Sequence, residues 1–128
     1  MERCPCCNAR LGGAARCSRC QADLGNIVVA EQSARFWLSK AIRHLQDNEA
    51  GQSARAVVLS LRLKKTGLAL VFRDFLIHQQ CREILALLAQ KQLLPAKQRL
   101  YSVRNLFPHS QLLQQLNSFT DHLLVQNQ

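Results

Sequence analysis

The stretch CPCCNARLGGAARCSRC, residues 4–20, carries five of the chain's six cysteines. Four of them form two C-x2-C pairs, Cys4 with Cys7 and Cys17 with Cys20, separated by nine residues. A C-x2-C turn bends the backbone so that both sulfurs face one point, and two such turns joined by a short hairpin supply a tetrahedral set of four thiolates. Pro5 stiffens the first turn, and Gly12-Gly13 supplies the reversal between arms at roughly 9–11 and 14–16. So short a piece has almost no core, with Leu11 and Leu24 as its main apolar anchors. Its fold is therefore expected to depend on one structural Zn2+ held by Cys4, Cys7, Cys17 and Cys20.

The segment resembles a zinc ribbon of the rubredoxin-knuckle type. Cys4-Pro5-Cys6-Cys7 stands as the first knuckle, Leu11 as the following anchor, Cys17-Ser18-Arg19-Cys20 as the second knuckle and Asp23-Leu24 as its close. The resemblance covers about the first 25 residues and implies a metal and a small fold. Zinc ribbons serve transcription, translation, enzyme assembly and protein docking alike, so the resemblance fixes no activity. Iron for electron transfer and a disulfide pair are the competing uses of these cysteines. Rubredoxins usually place glycine after each knuckle and shield the site with aromatic rings, whereas here Asn8 and Gln21 stand in those places and no aromatic precedes Phe36. A reducing compartment favours metal over disulfide at this spacing. Cys6, between two ligands, reads as a non-ligating cysteine, with redox sensing as the alternative.

With 128 residues, 48% of them hydrophobic, the chain suffices for one compact body and a small metal-stapled appendage. The expected division is a ribbon over 1–25 and a helical domain over 26–128. Met1-Glu2-Arg3-Cys4 leads straight into the cysteines without a signal-like start, so a cytoplasmic protein is expected. The longest apolar runs, Leu68 to Phe72 and Ile84 to Ala89, fall far short of the roughly 20 residues of a membrane span. The formal charge is +9. Four ligating thiolates and one Zn2+ together subtract two, leaving about +7, and Arg3, Arg10, Arg16 and Arg19 can offset the negative tetrathiolate. A second basic stretch, from Ile84 to Thr120, holds Lys91, Lys97, Arg99 and Arg104 without any Asp or Glu and would attract an acidic surface.

Beyond Asn26 the pattern turns helical. Ala34, Trp37, Leu38, Ala41, Ile42 and Leu45 recur at three-and-four spacing, which predicts a helix over about 32–46, stopped by Asp47-Asn48-Glu49-Ala50-Gly51. Ala54, Val57, Val58 and Leu61 predict a second over about 52–65, closed by Lys64-Lys65-Thr66-Gly67. Leu68–Leu94 contains neither proline nor glycine and reads as one long helix, the alternative being two with a bend at His78-Gln79-Gln80. Pro95 opens a fourth that carries Leu100, Val103 and Leu106 to Phe107-Pro108. A last amphipathic helix holds Leu112, Leu113, Leu116, Phe119, Leu123 and Leu124. The fold class is mainly α: a small N-terminal zinc ribbon, then five or six helices in an antiparallel bundle or a short helical-repeat array.

An internal echo at an offset of 42 residues pairs Ile42 with Ile84, Leu45 with Leu87, Ala54 with Ala96, Ser60 with Ser102 and Arg62 with Arg104. Ala54 to Gly67 and Ala96 to His109 resemble the second helix and following turn of a tetratricopeptide repeat, which implies stacked helical pairs with a concave binding groove. The spacing exceeds that family's usual period of about 34 residues, and a plain bundle stays open. The expected function is that of a noncatalytic adaptor docking a protein partner, such as an acidic peptide or helix, through basic faces at Arg55, Arg62, Lys64, Lys65, Lys97, Arg99 and Arg104. The alternative is a nucleic-acid-binding protein, although aromatics at 5% supply few stacking platforms. An enzyme is not expected: there is no paired acid near a histidine, no phosphate-binding glycine loop, and a tetrathiolate zinc has no open position. His78 and Cys81 share a helical face but lack a third catalytic partner, and read as a surface histidine and a core cysteine.

Overall fold

The computed structural model describes residues 2–12, 16–23 and 25–126. After the cysteine segment come α1 (Gly25–Gln46), α2 (Ala50–Leu63), α3 (Gly67–Ala89), α4 (Leu93–Ser102), a 3₁₀ helix (Arg104–His109) and α5 (Gln111–Gln126). Among the described residues β structure is limited to two isolated bridges. The mainly α fold is as the periodicity indicated, and none of the described helices is long and apolar enough to cross a membrane.

Each helix packs on its sequence neighbour, and α2 also meets α4 while α3 meets α5. The core is built from Leu38 and Ala41 of α1, Val57 and Leu61 of α2, Leu76, Ile77 and Ile84 of α3, and Leu100, Leu106 and Leu113 beyond them. Burying each such leucine fully stabilises the fold by roughly 1.5–3 kcal/mol. Two serines staple α2 to α1: Ser53 Oγ donates to the Ala41 carbonyl and Ser60 Oγ to that of Ala34, each at 2.7 Å and each buried. Their hydroxyls are thereby satisfied inside the core.

Several helix boundaries differ from the sequence reading. α1 starts at Gly25 rather than near 32, so its first turns carry Ile27 and Val29, which stay 41% and 59% exposed. Gly67, expected to terminate α2, instead heads α3, because Thr66 is the N-cap and its hydroxyl accepts the Ala69 amide at 3.2 Å. α3 is a single uninterrupted helix but stops at Ala89, so Leu93 and Leu94 belong to α4. α4 ends at Ser102, short of Phe107. In an α-helix Pro108 would clash with the carbonyl four residues back, and the chain takes a 3₁₀ turn there instead.

The turns after α1 and α3 are alike. Asn48 (φ 61) and Lys91 (φ 60) are both left-handed. Glu49 donates to the His44 carbonyl at 2.8 Å and Gln92 to that of Leu87 at 2.9 Å, the six-to-one bond of a Schellman cap. The two left-handed residues are 43 positions apart, and buried positions superpose at that offset: Leu38 with Cys81, Ala41 with Ile84, Ser53 with Ala96, Val57 with Leu100 and Ser60 with Val103. The offset of 42 matched by identity also pairs buried Ala54 with buried Ala96, but it sets exposed Ile42 against buried Ile84, and the caps align at 43.

Candidate metal centre and basic surface

The two cysteine turns repeat each other at a spacing of 13 residues. Cys4 N–H donates to the Ala9 carbonyl and Cys17 N–H to that of Ala22, both at 2.9 Å, while Asn8 and Gln21 donate back to the Cys4 and Cys17 carbonyls. Antiparallel bridges Arg3–Arg10 and Arg16–Asp23 close the two turns. Each turn is thus its own miniature hairpin. The pairing expected between 9–11 and 14–16 lies partly outside the described residues, as do Gly13 and Leu24. Asn8 (φ 62) and Gln21 (φ 63) occupy the left-handed region at the two places where glycine was missed in the sequence. Asparagine adopts that conformation readily and glutamine at greater cost.

This geometry gathers four sulfurs. The Sγ atoms of Cys4, Cys7, Cys17 and Cys20 all lie within 4.8 Å of one another, with Cys4–Cys20 and Cys7–Cys17 both at 3.5 Å. A tetrahedron with metal–sulfur bonds of about 2.3 Å has edges of about 3.8 Å, so the set fits a tetrahedral ion. The four cysteines are placed to hold a metal. Cys4 and Cys17 are buried, Cys7 is half-buried and Cys20 faces solvent, while Leu11 closes the small cluster from within.

The electrostatics follow from the crowding. Backbone N–H groups of Cys20 and Arg19, opposed by burial, bring the Cys17 thiol down to about 6. Cys4 is lowered as well: burial pushes it up, but the amides of Cys7 and Cys6 outweigh that. Cys20 is pushed up to about 12; the Ala22 amide favours its thiolate, but the neighbouring Cys4, Cys7 and Cys17 sulfurs oppose a further negative charge. Four thiolates cannot coexist at this distance without a cation among them. Cys6 is exposed, and its thiol is pushed up chiefly by the Cys4 charge. Cys81 is buried in the helical core, which raises its thiol, and His78 is exposed.

The structure sorts the seven candidate cations. Lys64 is bound to buried Glu31. Lys97 donates to Asp121 and Asn117, each at 2.7 Å. Arg99 reaches Glu83 at 2.6 Å and Gln80 at 3.2 Å. Arg104 donates to the Tyr101 carbonyl and stacks 4.2 Å from its ring. These four hold the fold's own surface together. Arg55 lines a cleft of about 560 Å³ between the start of α2 and α4, shared with Pro95 and Gln98. Arg62 and Lys65 converge with two groups that sequence reasoning missed, Arg73 and His109. The packing of α2 on α3 and on the 3₁₀ helix, with the approach of Arg73 to His109, brings those residues into one region, and no local pattern announces it.

Comparison with protein-family models, with curated proteins and with solved structures returned no match.

Proposed function

We propose that the chain is a noncatalytic adaptor: a zinc ribbon over 1–25, stapled by one Zn2+ on Cys4, Cys7, Cys17 and Cys20, attached to a tetratricopeptide-like helical array over 26–128 that docks a protein partner in the cytoplasm. Zinc suits a closed set of four sulfur donors at tetrahedral spacing, and such a site stabilises structure without an open position for catalysis.

The observation that carries the docking reading is the distribution of exposed apolar side chains. Of the fifteen large hydrophobic residues left exposed among the described residues, eleven sit on α1, α3 and α5. Leu68 and Phe75 of α3 have counterparts 44 residues on in Leu112 and Phe119 of α5, all four exposed. In stacked helical pairs the first helices line the groove, and apolar positions repeated there form a docking surface. The net charge of +9 favours an acidic peptide or helix.

The test is affinity capture with zinc-loaded protein, with and without nuclease, comparing the wild type with a Phe75→Ser/Phe119→Ser variant. Stoichiometric protein retained after nuclease and lost in the variant, whose circular dichroism stays helical, supports the adaptor. The net charge favours a second reading, nucleic-acid binding. Recovery of nucleic acid alone, released at moderate salt, would replace the adaptor with it.

A further inference from the structure

A second cluster of charge lies where the end of α2, the first half of α3 and the 3₁₀ helix meet. Arg62 comes from the last turn of α2, Lys65 from the link that follows, Arg73 from α3 and His109 from the end of the 3₁₀ helix. Arg73 Nη1 stands 3.4 Å from His109 Nδ1. The guanidinium must be the donor, so Nδ1 accepts and the ring proton sits on Nε2.

Arg73 is short of partners. Its side chain is 20% exposed, and its Nε is buried without a hydrogen bond among the described residues. The Asp74 carboxylate, itself 62% exposed, is 3.5 Å from that nitrogen. Buried donors of a charged group are costly to leave unmet. Arg62 and Lys65 add two exposed cations that make no hydrogen bond or ion pair with the described residues. His109 is held below its ordinary range by partial burial and by the charges of Arg73, Lys65 and Arg62, which places all three cations within electrostatic reach of one imidazole.

We infer that this corner binds a phosphate monoester dianion, gripped by Arg62, Lys65 and the fork of Arg73 beside the His109 ring. Three cations against the one Asp74 carboxylate leave two positive charges unbalanced. A carboxylate or a phosphodiester would neutralise only one of them, whereas a monoester dianion neutralises both and matches the geometry of a guanidinium. A phosphorylated side chain on a protein and a small phosphorylated metabolite share this chemistry. The site does not depend on the adaptor reading, since inorganic phosphate alone probes it.

The experiment follows the imidazole resonances of His44, His78, His109 and His122 in the full zinc-loaded chain while phosphate replaces chloride at constant ionic strength. His109 should shift saturably and alone, with its titration midpoint moving up toward the ordinary value as the anion offsets the three cations. Exchanging Arg62 and Lys65 for glutamine removes two exposed charges without touching the core, and should weaken phosphate binding about tenfold or more. Arg104→Gln should leave it unchanged, and dimethyl phosphate should bind more weakly than phosphate. A phosphoserine peptide and a hexose phosphate separate the two sources, the one that gains more over inorganic phosphate being the closer match. A His109 that responds to phosphate no more than to chloride, a double variant that binds like the wild type, or a diester that binds as tightly as phosphate each overturns the assignment.

Discussion

Replacing Gly51 by alanine sets two effects of opposite sign against each other. Gly51 sits in the first turn of α2, where alanine usually gains up to about 1 kcal/mol of helix stability over glycine. Here an added Cβ would lie 2.9 Å from the backbone oxygen of Ser102 and 3.2 Å from its Cβ. Carbon–oxygen contacts ordinarily begin near 3.3 Å, so α2 and α4 would have to separate by roughly 0.4 Å or more. That oxygen is main chain at the end of α4 and cannot rotate away. Overpacking of this kind costs about 1–3 kcal/mol, and the net expectation is a destabilisation of about 1–2 kcal/mol. For a domain of this size each kcal/mol moves the midpoint by about 4 °C or somewhat more, so Tm should fall by about 4–10 °C. The assay is thermal and urea unfolding of zinc-loaded protein, followed by helical circular dichroism. Gly67→Ala is the control: its Cβ would meet nothing within 4 Å, and the change should be neutral or stabilising by up to about 1 kcal/mol. A Gly51→Ala protein as stable as the wild type, or more so, would refute the close packing of α2 on α4.

Three further outcomes are expected. Cys17→Ser should abolish stoichiometric metal binding, and it or a chelator should leave most helical circular dichroism intact, because among the described residues the helical core shares no buried residue with the cysteine cluster; global loss of helix would make the two one cooperative unit. Ser60→Ala removes a buried 2.7 Å bond to the Ala34 carbonyl and should cost about 1 kcal/mol in urea unfolding. The hydrogen bond from Lys64 holds the Glu31 carboxyl below its ordinary value. Its stabilisation is therefore complete above the unfolded value of about 4.3 and is lost as pH falls through the lower folded value. Glu31→Gln should lower stability at pH 7 and flatten the acid limb of the stability curve.

The ligands were legible because metal chemistry is local: two C-x2-C pairs and a reversal define the donors without reference to the rest of the chain. The helices from Ala34 onward were legible because one face of each is repeatedly apolar. The first turns of α1 were not. Ile27, Val28 and Val29 are β-branched, which argues against helix, and none of the three is buried; the first tertiary anchor of α1 is Glu31, buried and paired with Lys64 just after α2. The end of α3 was missed because the left-handed residue that stops it is Lys91 rather than a glycine. The ion pairs of the basic stretch were not legible either, for a different reason. Lys97 and Arg99 find Asp121 and Glu83 only across helix interfaces, so a stretch empty of acidic residues in sequence is not unpaired in space.

α3 links the fold to the proposed role. It is apolar nearly all round, a pattern that ordinarily marks a fully enclosed helix. One side, with Ala69, Leu76, Ile77 and Ile84, is buried in the core. Leu68, Val71, Phe75 and Leu85 are instead between 48% and 67% exposed, and by helical register they lie on the opposite side. Stability of the isolated chain does not account for four large apolar side chains left in water, since polar residues there would serve folding equally well and oppose aggregation. In the proposed role a partner covers that face, and α3 becomes an interior helix of the complex, in keeping with its composition.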